Sequence, residues 1–213
     1  FSSAGARAFS LGVKGLVRGG FIESWCDRLT GGKRMYDVEM PLAITAVDVE
    51  SGEEVVFTNR PPRYTTSILG CDAGRVYITD AKISEAIRAS ISLPGVFVPK
   101  KLYGRTLVDG GVLNMVPVNE LKRMGAEEVV AVDLGSHAEK PQKVDNVIGV
   151  LSRCFALASR REVERTLAEH ASLVLQPAVW DVGFPTPCKA RALIESGKAC
   201  AEKNIDRLVT MLK

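Results

Sequence analysis

The residues DAKISEAIRASISLPGVFVPKKLYGRTLVDGGVLNMVPV, 80–118, carry most of the structural information in this chain. At their centre is Asp109-Gly110-Gly111. Leu107 and Val108 read as the last residues of a short buried strand, so Asp109 falls where that strand ends. Two glycines after it permit positive φ and a close backbone approach. Ligands in open α/β sheets bind beyond the carboxyl ends of strands, which makes an acid at that place a site candidate. Just upstream, Ser90 to Pro99 is apolar and broken by Pro94-Gly95, a composition suited to the wall of an apolar pocket. Taken alone, Asp-Gly also describes an ordinary turn.

Working outward, Asp80 is a reasonable N-cap for AKISEAIRASIS, with Ile83, Ala86, Ile87 and Ser90 on one face and Pro94 ending the helix. Ser90 and Ser92 sit where that helix terminates, a place where serines bond to the backbone. Arg88 is expected to pair with a nearby acid. Beyond Asp109, Val116-Pro117 opens a helix that runs to about Met124 and stops at Gly125. Glu127 to Leu134, EEVVAVDL, reads as a strand of the kind buried in a parallel sheet. Asp133 closes it and competes with Asp109, but lacks the double glycine; a bond to loop amides explains it.

Earlier in the chain, Met40 to Asn59 reads as two strands joined by a tight turn at Glu50-Ser51-Gly52-Glu53. Asp48, close to that turn, is read as a turn-proximal or solvated acid. Arg60 to Gly74 is read as a loop and Arg75 to Thr79 as a short strand. Phe21, Trp25 and Leu29 recur at helical spacing before Gly31-Gly32, which predicts a helix with that stripe facing the core. Ser136 to Asp145 is a polar linker, Val147 to Glu169 a charged helix that packs loosely or covers the site, and Leu173 to Leu175 a strand. Trp180 to Pro187 is a loop. Cys188 to Lys213 reads as one long amphipathic helix with Leu193, Ile194, Gly197, Ala201, Ile205, Leu208 and Leu212 inward.

A chain of 213 residues suffices for one α/β domain with a substantial core. Its net charge of +3 is small and no basic run is long, which argues against a nucleic-acid partner. Five scattered cysteines with no CxxC spacing argue against a disulfide framework and against zinc, and reduced thiols fit an intracellular setting. Clustered metal-ligand spacings and nucleotide-binding glycine loops are missing, so neither metal nor cofactor is expected.

Three segments in order resemble the bacterial branch of the patatin-like phospholipases. They are R-A-S-x-S-x-P-G-V-F at Arg88 to Phe97, L-V-D-G-G-x-x-N-x-x-P-V at Leu107 to Val118, and G-A-E-E-V-V-A-V-D-L at Gly125 to Leu134. The likeness extends back to Pro41–Phe57 and forward to Ser172–Pro177 and the closing helix, and is weakest between His137 and Ala168. It implies an α/β class, a three-layer α/β/α hydrolase with a mainly parallel central sheet, and a single domain over 1–213. It also implies a Ser–Asp dyad, with the Ser on a G-x-S-x-G elbow, a Gly-rich oxyanion loop near the N-terminus, and the Asp in the D-G-G motif. On this resemblance Asp109 is the base, Gly110 and Gly111 support its turn, and Ile91, Leu93, Val96 and Phe97 line the acyl pocket. Met115 departs from the family, which usually has Pro after the Asn.

Neither the elbow nor the Gly-rich loop occurs between Phe1 and Lys213. Phe1-Ser2-Ser3-Ala4-Gly5 has Phe in place of the first Gly, and Arg18-Gly19-Gly20-Phe21 resembles a segment already beyond the elbow, so Ser3 is disfavoured. The expectation is a chain incomplete at its N-terminus, its nucleophile half removed, disordered or carried on another polypeptide. Two histidines, His137 and His170, accompany no motif, which fits a carboxylate taking the Ser proton directly. A carboxyl with pKa of about 4 is a weak base, and burial beside the Ile91–Val98 wall should raise it. The expected function is a lipid acyl hydrolase acting on a phospholipid or simpler acyl ester, in transient contact with a membrane surface, cytoplasmic or membrane-associated. The alternative is a non-catalytic member that binds lipid or protein.

Overall fold

The computed structural model describes residues 15, 17–62, 71–72, 74–135, 147–179 and 190–211. The expectations for Ser3, the 136–145 linker, His137, the 180–187 loop and Leu212 lie outside those residues. Two compact units divide the chain, Phe1–Met115 and Val116–Lys213.

The first unit is built on a six-stranded sheet. Its strands are β1 (Ala43–Asp48), β2 (Glu54–Thr58), β3 (Cys71–Asp72), β4 (Arg75–Ile78), β5 (Lys100–Leu102) and β6 (Arg105–Asp109), in the order β3-β4-β2-β1-β6-β5. β1 and β2 form the expected hairpin, Ala43 opposite Thr58 and Val47 opposite Glu54. The short strand β3 stands within what reads as a loop in the sequence. The class is α/β, but the expected mainly parallel sheet is corrected. Among the described residues β2 and β4 run parallel, while β1–β2, β1–β6, β3–β4 and β5–β6 are antiparallel. Short connections such as Tyr103-Gly104 permit only antiparallel return, because a parallel neighbour needs a long crossover.

Helix α2 (Ile83–Ser90) packs on β1 and β6, and Ala86 and Ala89, both fully buried, let it lie close. With Met35, Ala46, Val55, Phe57, Ala81, Ile83 and Leu107 they form the core. Asp80 is not its cap. The helix begins at Ile83 after Lys82, whose backbone N–H donates to Glu85 Oε2 at 3.1 Å. Of the four residues grouped on one face, Ile83 and Ala86 are buried and Ile87 and Ser90 partly buried, while Ser84 and Arg88 are buried as well.

The reason is a second helix on its other side. Helix α1 (Gly20–Leu29) turns its acids inward: Glu23 meets Lys100 Nζ at 2.6 Å, and Asp27 accepts from Ser84 Oγ at 2.9 Å. The stripe expected to face the core faces out instead, with Phe21 78%, Trp25 51% and Leu29 67% exposed. Periodicity located this helix correctly and assigned the wrong face, because two ion-pair partners lay inward.

In the second unit, α3 (Val118–Arg123) follows Pro117, which caps the helix instead of opening it. The strand expected over 127–134 shrinks to β7 (Val130–Val132), parallel to β8 (Leu173–Leu175). Val129 and Ala131 are buried while Val130 and Val132 are exposed, so one face is covered, where burial on both was expected. α4 (Val147–His170) matches its expected span, and its Leu167 joins Val118, Val129 and Ala131 in a second core. The long C-terminal helix is two, α5 (Ala190–Lys203) and α6 (Ile205–Met211), and neither buries a residue; Ile194 and Ile205, expected inward, are exposed.

Asp48 closes the β1–β2 turn. Its carboxylate accepts from Glu50 N–H, Ser51 Oγ, Thr106 N–H and Arg105 Nη1 at 3.0–3.3 Å. Burial alone would raise its pKa, but these donors and the Arg105 charge outweigh it and hold the carboxyl below its usual value. A depressed carboxyl stabilises the fold above the unfolded pKa and loses that contribution as pH falls through the folded one. Asp48→Ala should therefore cost about 2 kcal/mol at pH 7 by urea titration. The gap to the parent protein should narrow as pH drops below the ordinary value of 3.8.

Candidate active site

Asp109 is the last residue of β6, paired across the sheet with Ala46 of β1. Its backbone N–H donates to the Ser92 carbonyl at 3.0 Å, so the strand end is tied to the end of α2. Its Oδ1 accepts the Gly111 N–H at 2.8 Å. The chain then enters a 3-10 turn, Gly110–Val112, with the Leu113 and Asn114 amides both returning to the Gly110 carbonyl.

The two glycines act through space, not through unusual φ. Neither has a positive φ, although eight other glycines among the described residues do. A Cβ on Gly110 would stand 2.4 Å from Thr45 Oγ1 and 2.6 Å from the Thr45 carbonyl oxygen, so the turn lies directly on the β1 backbone. A Cβ on Gly111 would meet only Asp109 Oδ1, at 3.1 Å, and Met115 Cγ, at 3.9 Å. The half of the sequence argument that concerned close approach holds, and it holds for the first glycine.

Burial raises the Asp109 pKa above the usual carboxylate value, and the Gly111 N–H opposes it in part. Asp133, the sequence competitor, is bonded differently: its carboxylate accepts from Gly135 N–H at 2.9 Å and Gln176 Nε2 at 3.3 Å, the loop-amide bonding expected of it. His170 ends α4, 3.8 Å from Glu169.

The apolar segment starts at the Asp109 backbone through Ser92, yet its residues differ. Val96 is buried, Ile91 and Phe97 are partly buried, and Leu93 is exposed. Phe97 lies beneath the Arg88 guanidinium, 5.3 Å from ring centroid to Cζ. The acid near Arg88, Glu23, acts on it through charge alone, and the oxygens bonded to its guanidinium are uncharged. Its Nη1 donates to Ser92 Oγ at 2.6 Å and its Nη2 to the carbonyls of Arg18 and Val98 at 2.7 Å. Ser92 Oγ in turn donates to the Arg88 carbonyl at 2.8 Å, the backbone bonding expected for a serine at a helix end.

Sequence reasoning passed over Glu54 and gave Asn114 a place in a motif but no role. Glu54 is buried at the start of β2, and its Oε1 accepts the Asn114 side-chain amide at 2.9 Å while its Oε2 pairs with Arg75 Nε at 2.8 Å. An acid opening the otherwise apolar run EVVF was the available signal, since a buried carboxylate requires partners.

A family profile described as patatin-like phospholipase matches residues 3–122, more than half of the chain and the whole of the Asp109 turn. Among curated proteins, lysophospholipase NTE1 of Candida albicans is 50% identical over 50 residues, 24% of this chain and 4% of that protein. The same-named protein of Lodderomyces elongisporus is 52% identical over 50 residues, again 24% and 4%. An uncharacterized NTE family protein of Mycobacterium bovis is 26% identical over 134 residues, 63% of this chain and 31% of that protein. The chain spans less than a third of the length of these relatives.

Two stability measurements check this geometry. Gly110→Ala should destabilise by about 1–3 kcal/mol, and Gly111→Ala by clearly less, because only the first meets backbone. A raised carboxyl pKa means that stability is fully present below the unfolded value and declines as pH rises through the folded one. Asp109→Asn should therefore melt higher than the parent at pH 7, with the difference vanishing below pH 3.8, the ordinary value.

Proposed function

The chain belongs to the patatin-like phospholipase family, and on that premise we propose that it supplies the carboxylate base of a lipid acyl hydrolase. The observation that carries this reading is Asp109 itself. It lies inside the matched region, ends the interior strand β6, accepts the Gly111 amide on its carboxylate, and has its pKa raised by burial.

The reaction is hydrolysis of a phospholipid or acyl ester through an acyl-enzyme, with the nucleophilic Ser contributed from outside residues 1–213. Asp109 takes the Ser proton as the hydroxyl oxygen attacks the ester carbonyl, then returns it to the departing alcohol as the C–O bond breaks. In the second half it takes a proton from water as the water oxygen attacks the acyl carbon, and gives that proton to the Ser oxygen as the acyl–Ser bond breaks. A carboxylate of raised pKa is the better base for both steps. Gly110 and Gly111 keep the turn compact beside it. Ile91, Leu93, Val96 and Phe97 form the apolar wall against which the acyl chain lies. No helix among the described residues is long and apolar enough to cross a membrane. Contact with a lipid surface is supported by the outward Phe21, Trp25 and Leu29 of α1, because aromatic and apolar side chains partition into the headgroup region.

The test uses the full-length polypeptide and a p-nitrophenyl acyl ester. Asp109→Asn should lower kcat about 10²- to 10⁴-fold, the range for loss of a general base, and a fluorophosphonate probe should label a Ser in the parent protein. Full activity in a normally folded Asp109→Asn variant would falsify the assignment. A parent protein that neither hydrolyses esters nor takes the probe would favour the lipid- or protein-binding member instead.

A further inference from the structure

Asp109 leaves the sheet into a turn that is fixed at two points. One is Gly110, seated on Thr45. The other is Asn114, whose side-chain amide donates to Glu54 Oε1 at 2.9 Å. Between them lies Gly111, whose N–H holds Asp109 Oδ1. The Asn114 backbone N–H also closes on the Gly110 carbonyl at 2.9 Å, so movement of Asn114 is passed to the residues around Gly111.

Glu54, like Asp48, is a buried acid of this unit. It lies opposite Val47 in the hairpin and beside Arg75 in the parallel ladder, and its backbone N–H donates to the Gly74 carbonyl at 2.9 Å. A buried carboxylate is tolerated where both oxygens have partners, and removing one partner leaves a costly buried charge. One of its oxygens faces the Arg75 cation and the other faces the catalytic turn. The side chain is thus held by the sheet through Arg75, while its other oxygen is a fixed point for Asn114.

We propose that Glu54 is a positioning residue for the acyl-transfer site, acting through Asn114 to hold the Gly111 amide against the Asp109 carboxylate. The proposal rests on the reading of Asp109 as base and assigns to it a three-residue support, Arg75–Glu54–Asn114. The Glu54–Arg75 pair alone would serve the sheet; the Asn114 bond serves the turn, so substitutions at Asn114 separate the two.

In the full-length polypeptide, Asn114→Ala should lower kcat about 10- to 100-fold with KM nearly unchanged, the scale expected when a reacting group is misplaced by about 1 Å. Since the Gly111 N–H lowers the Asp109 pKa, loosening it should move the acid limb of the kcat profile to higher pH. Hydrogen exchange should quicken at the Gly111, Leu113 and Asn114 amides and stay constant in β1 and β2. Asn114→Asp should be at least as damaging, because it sets two carboxylates together. Adding Glu54→Gln to it should restore most of kcat, since the introduced amide can donate to the introduced carboxylate. Retained kcat in Asn114→Ala, an unmoved acid limb with unchanged exchange at Gly111, or no recovery in the double variant overturns the proposal. An Asp109→Asn variant that keeps its activity removes the base assignment beneath it. Positioning alone fails where Asp109→Asn is inactive and Asn114→Ala is not.

Discussion

The contact between Gly110 and the backbone of Thr45 governs the rest of the site. A turn that leaves a strand end has room to swing unless something stops it, and here the neighbouring strand does so. With no side chain at Gly110, the turn settles onto β1 at a distance that would put any Cβ inside van der Waals range of two oxygens. That seating fixes the direction in which the chain departs, hence where the Gly111 amide points and which Asp109 oxygen it holds. The close packing of protein interiors makes such a position two-valued: it is filled by glycine or the turn moves.

Around this seat, hydrogen bonds supply what packing cannot. The Asp109 amide reaches the Ser92 carbonyl, and Ser92 is clamped by Arg88 through its hydroxyl. Arg88 is a buried cation with a ring beneath it, the Ser92 hydroxyl at Nη1 and two backbone carbonyls at Nη2; its desolvation, only partly countered by Glu23, pulls its pKa down. A lysine could not meet these oxygens in one plane, since the guanidinium fork presents several donors at fixed angles. Gly19, with φ +68, passes so close that a Cβ would stand 2.3 Å from Arg88 Nε. The segment before α1 and the strand end at Asp109 are therefore linked through one side chain.

Much of this was legible in the residues. The β1–β2 hairpin follows from alternation and a Glu-Ser-Gly-Glu turn, and Asp109 at the end of β6 follows from an apolar run stopped by Asp-Gly-Gly. What was not legible was which face of an element turns inward when the interior itself holds charges. Phe21, Trp25 and Leu29 mark a helix by period, but Lys100, Lys82 and Ser84, distant in sequence, draw Glu23 and Asp27 inward and rotate the stripe out. Strand direction is equally a tertiary matter: Arg75–Ile78 has the same composition whether it runs with β2 or against it. Asn114 stands within the quoted motif, yet its function depends on Glu54, sixty residues earlier, and no local pattern contains that pair.

Comparing the carboxylates shows why a base could be placed at one of them. Asp48 accepts from four donors and carries a cation beside it, so its charge is well solvated by the protein and its proton affinity is low. Glu54 has a donor or cation at each oxygen, and Asp133 has an amide at each. Asp109 is partly buried, and the Gly111 amide donates to its Oδ1. Each donor stabilises the anion and so weakens it as a base, while burial without donors strengthens it. Asp48 and Asp109 are thus displaced in opposite directions, the first held down by its donors and the second pushed up by desolvation, and on the proposed function the second is the base. Carrying that strain in the ionised state is what a proton acceptor needs, because accepting the proton relieves it.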